Sequence, residues 1–153
     1  MKTMTTQSDH FQAIIFDLDG TLLDTLADIG ESVNHTLAEY QFPSHAIDAY
    51  KYFIGNGWKM LVTRALPETQ RSEQLIAECV TKSRTVYHDN WNQQTRLYEG
   101  IPELLDKLTE RRLPLAVLSN KPHDFMLRCV DWYLNKWKFN VLIGQRDNFP
   151  LKP

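Results

Sequence analysis

Asp17 and Asp19 stand on either side of one leucine, directly after the apolar run Ala13-Ile14-Ile15-Phe16, and Gly20 and Thr21 follow them. An apolar run without alternation is the pattern of a strand covered on both faces, which in an α/β sheet is a central parallel strand. The carboxyl end of such a strand is where these sheets bind ligands. Two carboxylates there could hold a hard cation. Gly20 lets the backbone approach a ligand, and the amides and hydroxyl around Gly20 and Thr21 can donate to an anion. Acids beside anion donors point to metal plus phosphate. A calcium loop does not fit: counted from Asp17, the twelfth residue is Asp28 and not glutamate, and Thr21, Leu23 and Thr25 take the middle ligand positions.

The elements that must position these acids follow from periodicity. Leu26, Ile29, Val33, Leu37 and Tyr40 recur at steps of three and four, the stripe of a helix that ends near Phe42-Pro43. Ser44 can cap a short helix carrying Ile47, Tyr50 and Phe53, which Gly55-Asn56-Gly57 breaks. A further helix starts at Trp58 and stops before Pro67, and a longer one carries Leu75, Ile76, Cys79, Val80, Tyr87 and Trp91 on its buried side. Strand and helix then alternate: a helix from Ile101 to Leu108, a strand Leu113–Leu118 running into Ser119-Asn120-Lys121-Pro122, a helix from Phe125 to Tyr133, and a strand Phe139–Gly144. The expected class is α/β: a Rossmann-like parallel sheet core, 11–25 and 94–153, interrupted by an inserted α-helical cap, 26–93. Placed directly after the acidic tip, the insertion is set to act as a lid.

The chain has 153 residues and a formal net charge of −2, which implies no nucleic-acid partner. Met1 to His10 lack the apolar stretch of a signal peptide, and no run approaches the roughly 18 apolar residues of a membrane span. A cytoplasmic protein is expected. Cys79 and Cys129 each fall inside an amphipathic segment and read as buried, reduced thiols. His10, His35, His45, His88 and His123 show no metal spacing and read as surface or partly buried residues.

Asp17-Leu18-Asp19-Gly20-Thr21-Leu22-Leu23-Asp24-Thr25 resembles the first motif of the haloacid dehalogenase superfamily, in its phosphatase branch. The resemblance implies Asp17 as a nucleophile that also binds Mg2+, and Asp19 as the acid and base, with its backbone carbonyl on the metal. Ser119-Asn120, with Lys121 beside it, is similar to the second motif, which binds phosphoryl oxygens. Lys152-Pro153 is similar to the third, whose lysine offsets charge between nucleophile and phosphate. Phe53 to Leu66 resembles the cap loop of phosphoglycolate phosphatases, which implies that Gly55, Asn56, Gly57, Lys59 and Arg64 set substrate choice.

The expectation is thus a Mg2+-dependent phosphatase of small phosphorylated metabolites, with 2-phosphoglycolate the leading substrate. The alternatives are a phosphosugar mutase or phosphonate hydrolase of the same superfamily, or a phosphate-binding chain without turnover. Family members continue past the third motif to further strands and an acidic fourth motif. A chain stopping at Pro153 is therefore expected to be C-terminally incomplete, weakly active or inactive, and prone to self-association through an exposed sheet edge.

Overall fold

The computed structural model describes residues 11–146 and 148–152. Met1 to His10, read above for a leader, and Pro153 of the third motif lie outside them. Three parallel strands form the sheet, β1 (Ile14–Phe16), β4 (Leu115–Pro122) and β5 (Val141–Gln145), in the order β1-β4-β5. Ile14 pairs with Leu115 and Phe16 with Val117, while Ala116 to Leu118 pair with Val141 to Ile143. The Ala13–Phe16 run is thus paired on one side among the described residues, leaving the exposed sheet edge that was expected. Among the described residues β1 is an edge, β4 is central, and Ile15 is 67% exposed. β4 also runs on to Pro122, so Ser119 and Asn120 belong to the strand and not to a turn after it.

Helix α4 (Ile101–Glu110) precedes β4, and α5 (His123–Tyr133) joins β4 to β5 and packs on both. Gly144 makes that crossover possible: a Cβ there would meet the His123 Cα at 2.7 Å and the Lys121 carbonyl oxygen at 2.9 Å. A two-residue antiparallel ribbon, β2 (Leu23–Asp24) with β3 (Arg96–Leu97), closes the base of the helical insertion. It is too short to leave a periodic signal.

The insertion consists of α1 (Leu26–Glu39), a 3-10 helix Ile47–Tyr52, α2 (Gly57–Ala65) and α3 (Glu73–Asn90). α1 and α3 pack along their lengths through Ile29, Val33, Leu37, Ile76 and Cys79. Gly30 on α1 admits the Tyr50 ring, which a Cβ would meet at 2.8 Å, and the Tyr50 hydroxyl donates to Asn34 Oδ1 at 2.8 Å. Ala46, not Ser44, precedes the 3-10 helix, and the serine cap falls at Ser72, whose hydroxyl accepts from the Leu75 amide at the start of α3. The C-terminal end of α3 meets α5 along an aromatic seam. Tyr87 lies 5.2 Å from Phe125 between ring centroids, Trp91 lies 6.1 Å from Trp132, and Arg128 covers Trp91.

Both connections to the insertion are tied together by Asp28, 2% exposed on the first turn of α1. Its carboxylate accepts from the amides of Gln94 and Thr95 at 2.8 to 3.1 Å and from the Thr95 hydroxyl at 2.7 Å. A buried carboxylate is tolerated only with such a complement of donors. Among the described residues no helix is long and apolar enough to cross a membrane.

Candidate active site

The C-terminal ends of β1 and β4 lie side by side, so their acids and hydroxyls meet. A narrow cleft of about 60 Å3 is lined there by Asp17, Asp19, Ser119, Asn120 and Lys121 from the sheet side. Ile29, Ile54, Gly55, Gly57, Trp58 and Leu61 of the insertion line the opposite wall.

Each acid is held the same way. Asp17 Oδ1 accepts from the Leu18 amide at 2.7 Å and pairs with Lys152 Nζ at 2.8 Å. Asp19 Oδ1 accepts from the Thr25 hydroxyl at 2.9 Å and pairs with Lys121 Nζ at 2.9 Å. One neutral donor and one lysine thus fix one oxygen of each carboxylate, and among the described residues Oδ2 of each is left for a ligand. The third motif is brought in by Asn120, which accepts from the Lys152 amide through Oδ1 at 2.8 Å and donates through Nδ2 to the Gly55 carbonyl at 2.8 Å. Lys152 Nζ also donates to the Leu118 carbonyl at 3.0 Å, which aims the ammonium along β4 toward Asp17. Ser119 accepts from the Lys121 amide at 3.2 Å and keeps its own proton for donation.

Asp17, Asp19, Ser119, Asn120 and Lys152 therefore converge as their motifs imply. Gly20 and Thr21 do not join them. The Gly20 amide donates to the Leu23 carbonyl and the Thr21 amide to the Leu18 carbonyl, so these two of the expected anion donors are consumed in closing the turn. Gly20 instead faces a second, wider cavity beyond Asp19, and Thr21 is exposed. In the loop, Gly55 and Gly57 reach the cleft, but Asn56 is exposed at the start of α2. The cations do not reach it either. Lys59 pairs on the surface with Glu73 at 2.9 Å, and Arg64 donates to the carbonyls of Tyr52 and Phe53, closing the end of the 3-10 helix.

Lys121, Thr25 and Tyr87 were not singled out by sequence. Lys121 Nζ sits 2.9 Å from the Tyr87 hydroxyl and 4.9 Å from the centroid of its ring, and its side chain is 2% exposed. Burial pushes the affinity of this ammonium for its proton down, but the Asp19 charge and the Tyr87 hydroxyl together outweigh burial and hold it above the ordinary lysine range. Burial likewise holds the Tyr87 phenol above its ordinary value. Only the position of Lys121 beside Ser119-Asn120 hinted at a role.

Comparison with known proteins now decides the family, since a model of haloacid dehalogenase-like hydrolases matches residues 14–153. The chain belongs to that family. Curated relatives carry the name phosphoglycolate phosphatase. That of Mannheimia succiniciproducens is 35% identical over 152 residues, covering 95% of this chain and 68% of the relative. That of Haemophilus influenzae strain 86-028NP is 36% identical over 119 residues, covering 74% and 53%. The chain spans between about half and two thirds of the length of such haloacid dehalogenase-like relatives. Among solved structures, a "predicted phosphoglycolate phosphatase" from Haemophilus somnus 129pt aligns with a TM-score of 0.82 at 27% identity, over 94% of this chain and 66% of that one. The fold is shared more widely: Mycobacterium tuberculosis Protein Tyrosine Kinase A aligns with a TM-score of 0.77 at 26% identity, over 90% and 62%.

Among the described residues no group of three or more His, Cys, Asp or Glu side chains is placed to hold a metal ion. Mg2+ demands less, being held by one or two carboxylates with substrate phosphate and water completing its shell. The Asp17 carboxylate and the Asp19 carbonyl are hard oxygen donors of that kind.

Proposed function

We propose that this chain carries the nucleophile and the proton donor of a phosphatase acting on small phosphate monoesters, 2-phosphoglycolate first among them. The observation that carries the reading is the matched anchoring of two acids, each fixed through Oδ1 by a lysine with Oδ2 free, beside the Ser119 hydroxyl.

Asp17 Oδ2 attacks phosphorus, and the bond from phosphorus to the ester oxygen breaks. The leaving oxygen takes the bonding pair and the proton that Asp19 carries on Oδ2 in the substrate complex, Lys121 staying on Oδ1. Asp19, now a carboxylate, removes a proton from water, which attacks the aspartyl phosphate and releases inorganic phosphate and the Asp17 carboxylate. Lys152 offsets the charge that Asp17 and the phosphoryl oxygens bring together, and Ser119 donates to one of those oxygens. Mg2+, held by Asp17 and the Asp19 carbonyl, would supply further charge stabilisation on the phosphoryl group. The narrow cleft supports a small leaving group, and the printed names of the relatives support phosphoglycolate. Two buried free thiols agree with a reducing, cytoplasmic setting.

The test is phosphate release from a panel of monoesters with magnesium, for wild type and Asp17→Asn. The substitution should abolish release while leaving the circular dichroism spectrum unchanged, and beryllofluoride should form its adduct at Asp17. An adduct on any other residue would overturn the assignment.

A further inference from the structure

Lys121 is a charge placed where a charge is costly. It belongs to the central strand, its side chain is 2% exposed, and its two partners come from different parts of the molecule. Asp19 follows β1, whereas Tyr87 lies on α3 of the insertion and is fully buried. A buried ion pair is a poor way to gain stability, since an apolar side chain would fill the same space without desolvating a charge. What it does supply is direction. An ammonium has three donors, and two fixed acceptors at 2.9 Å each pin Nζ between Asp19 and Tyr87 while Tyr87 is seated. Trp58, 5.1 Å from the Tyr87 ring, and Phe125, 5.2 Å away on the other side, hold that ring in place. Trp58 is itself fixed by its indole nitrogen, which donates to the Ser83 hydroxyl at 2.8 Å.

We propose that Lys121 is a positioning residue, which fixes the Asp19 carboxylate toward the cleft only while the Tyr87 face of the helical insertion is seated on the sheet. When α3 lifts, Lys121 loses its second acceptor and its cover, its ammonium is hydrated, and its hold on the Asp19 carboxylate loosens, with Thr25 left as the other donor. Proton transfer to the leaving oxygen is thereby tied to closure over a bound substrate. The proposal rests on the reading of Asp19 as proton donor, and its test separates the two.

The variants are Tyr87→Phe, which keeps the ring and removes only the acceptor, and Lys121→Met. Both are assayed with an alkyl phosphate, which needs its leaving oxygen protonated, and with 4-nitrophenyl phosphate, which does not. Misplacing a catalytic group by about an ångström costs on the order of a hundredfold. Losses approaching that are expected in single-turnover release of the alcohol from the alkyl phosphate, whereas the pre-steady-state burst of nitrophenol from Tyr87→Phe should stay within about twofold of wild type; steady-state turnover falls on both substrates, because Asp19 also activates the water of the second step. Crystal structures of both variants should show Asp19 in more than one orientation. Equal losses in the first step on both substrates, or no loss on either, would overturn the proposal. Should wild type turn over neither substrate, the phosphatase reading fails, and the crystal structures alone decide: an Asp19 ordered as in wild type in both variants overturns the positioning role.

Discussion

At the scale of single residues, polar groups inside this protein are present in matched sets, and removing one member strands the others. Asp28 makes the point without any chemistry at stake. Asp28→Ala would leave the amides of Gln94 and Thr95 without their acceptor, at about 1 to 3 kcal/mol for each group left unsatisfied, while the Thr95 hydroxyl keeps the Trp91 carbonyl at 3.0 Å. We expect a loss of about 3 kcal/mol in urea unfolding, with Asp28→Asn recovering part of it. The residues of the cleft were legible in the sequence to the degree that they sit in contiguous motifs. Asp17 and Asp19 mark the tip of an apolar run, and Ser119-Asn120 ends another. Lys121 and Tyr87 were not legible as partners because they lie 34 positions apart, and Tyr87 has the periodicity of an ordinary core residue on α3. Gly20 and Thr21 misled for the opposite reason: their amides look free in sequence, and only the folded turn shows that Leu23 and Leu18 take them.

At the scale of elements, the loop between the 3-10 helix and α2 touches the sheet at two points. Gly55 offers its carbonyl to Asn120, and Gly57, at φ +79°, lies where an added Cβ would meet the Leu151 side chain at 3.4 Å. Because Leu151 precedes Lys152, a bulky residue at 57 pushes on the segment that carries the lysine as well as on the cleft wall. Gly57→Val should therefore change the ranking of monoester substrates and also lower turnover on all of them. An unchanged ranking in a competitive assay would reduce the loop to a connector. The helices were readable from their stripes to within a few residues. The sheet was less so. A short run apolar on both faces does not say how many neighbours a strand has, and among the described residues β1 pairs with β4 alone.

At the scale of the whole molecule, one face of the sheet carries Ile15, Val141 and Ile143, at 67%, 48% and 47% exposure and joined in register through Ala116 and Leu118. With the open edge of β1 beside it among the described residues, this face suits pairing with a second copy of the chain. Light scattering should show a concentration-dependent dimer that Ile15→Lys weakens, and a monomer at every concentration would refute the expectation. The seam between α3 and α5 has a different consequence. Cys129 lies on the face of α5 flanked by Phe125 and Trp132, it is fully buried, and burial pushes its thiol up to about 11. At pH 8 only about one thiol in a thousand is then the reactive thiolate, even before access is considered. Cys79 is buried within the insertion itself, between α1 and α3. The two sulfurs are thus a pair of native clocks. If the insertion lifts as a unit, iodoacetamide followed by peptide mass spectrometry should mark Cys129 first and Cys79 only on unfolding, so that the interval between them times the opening of the seam.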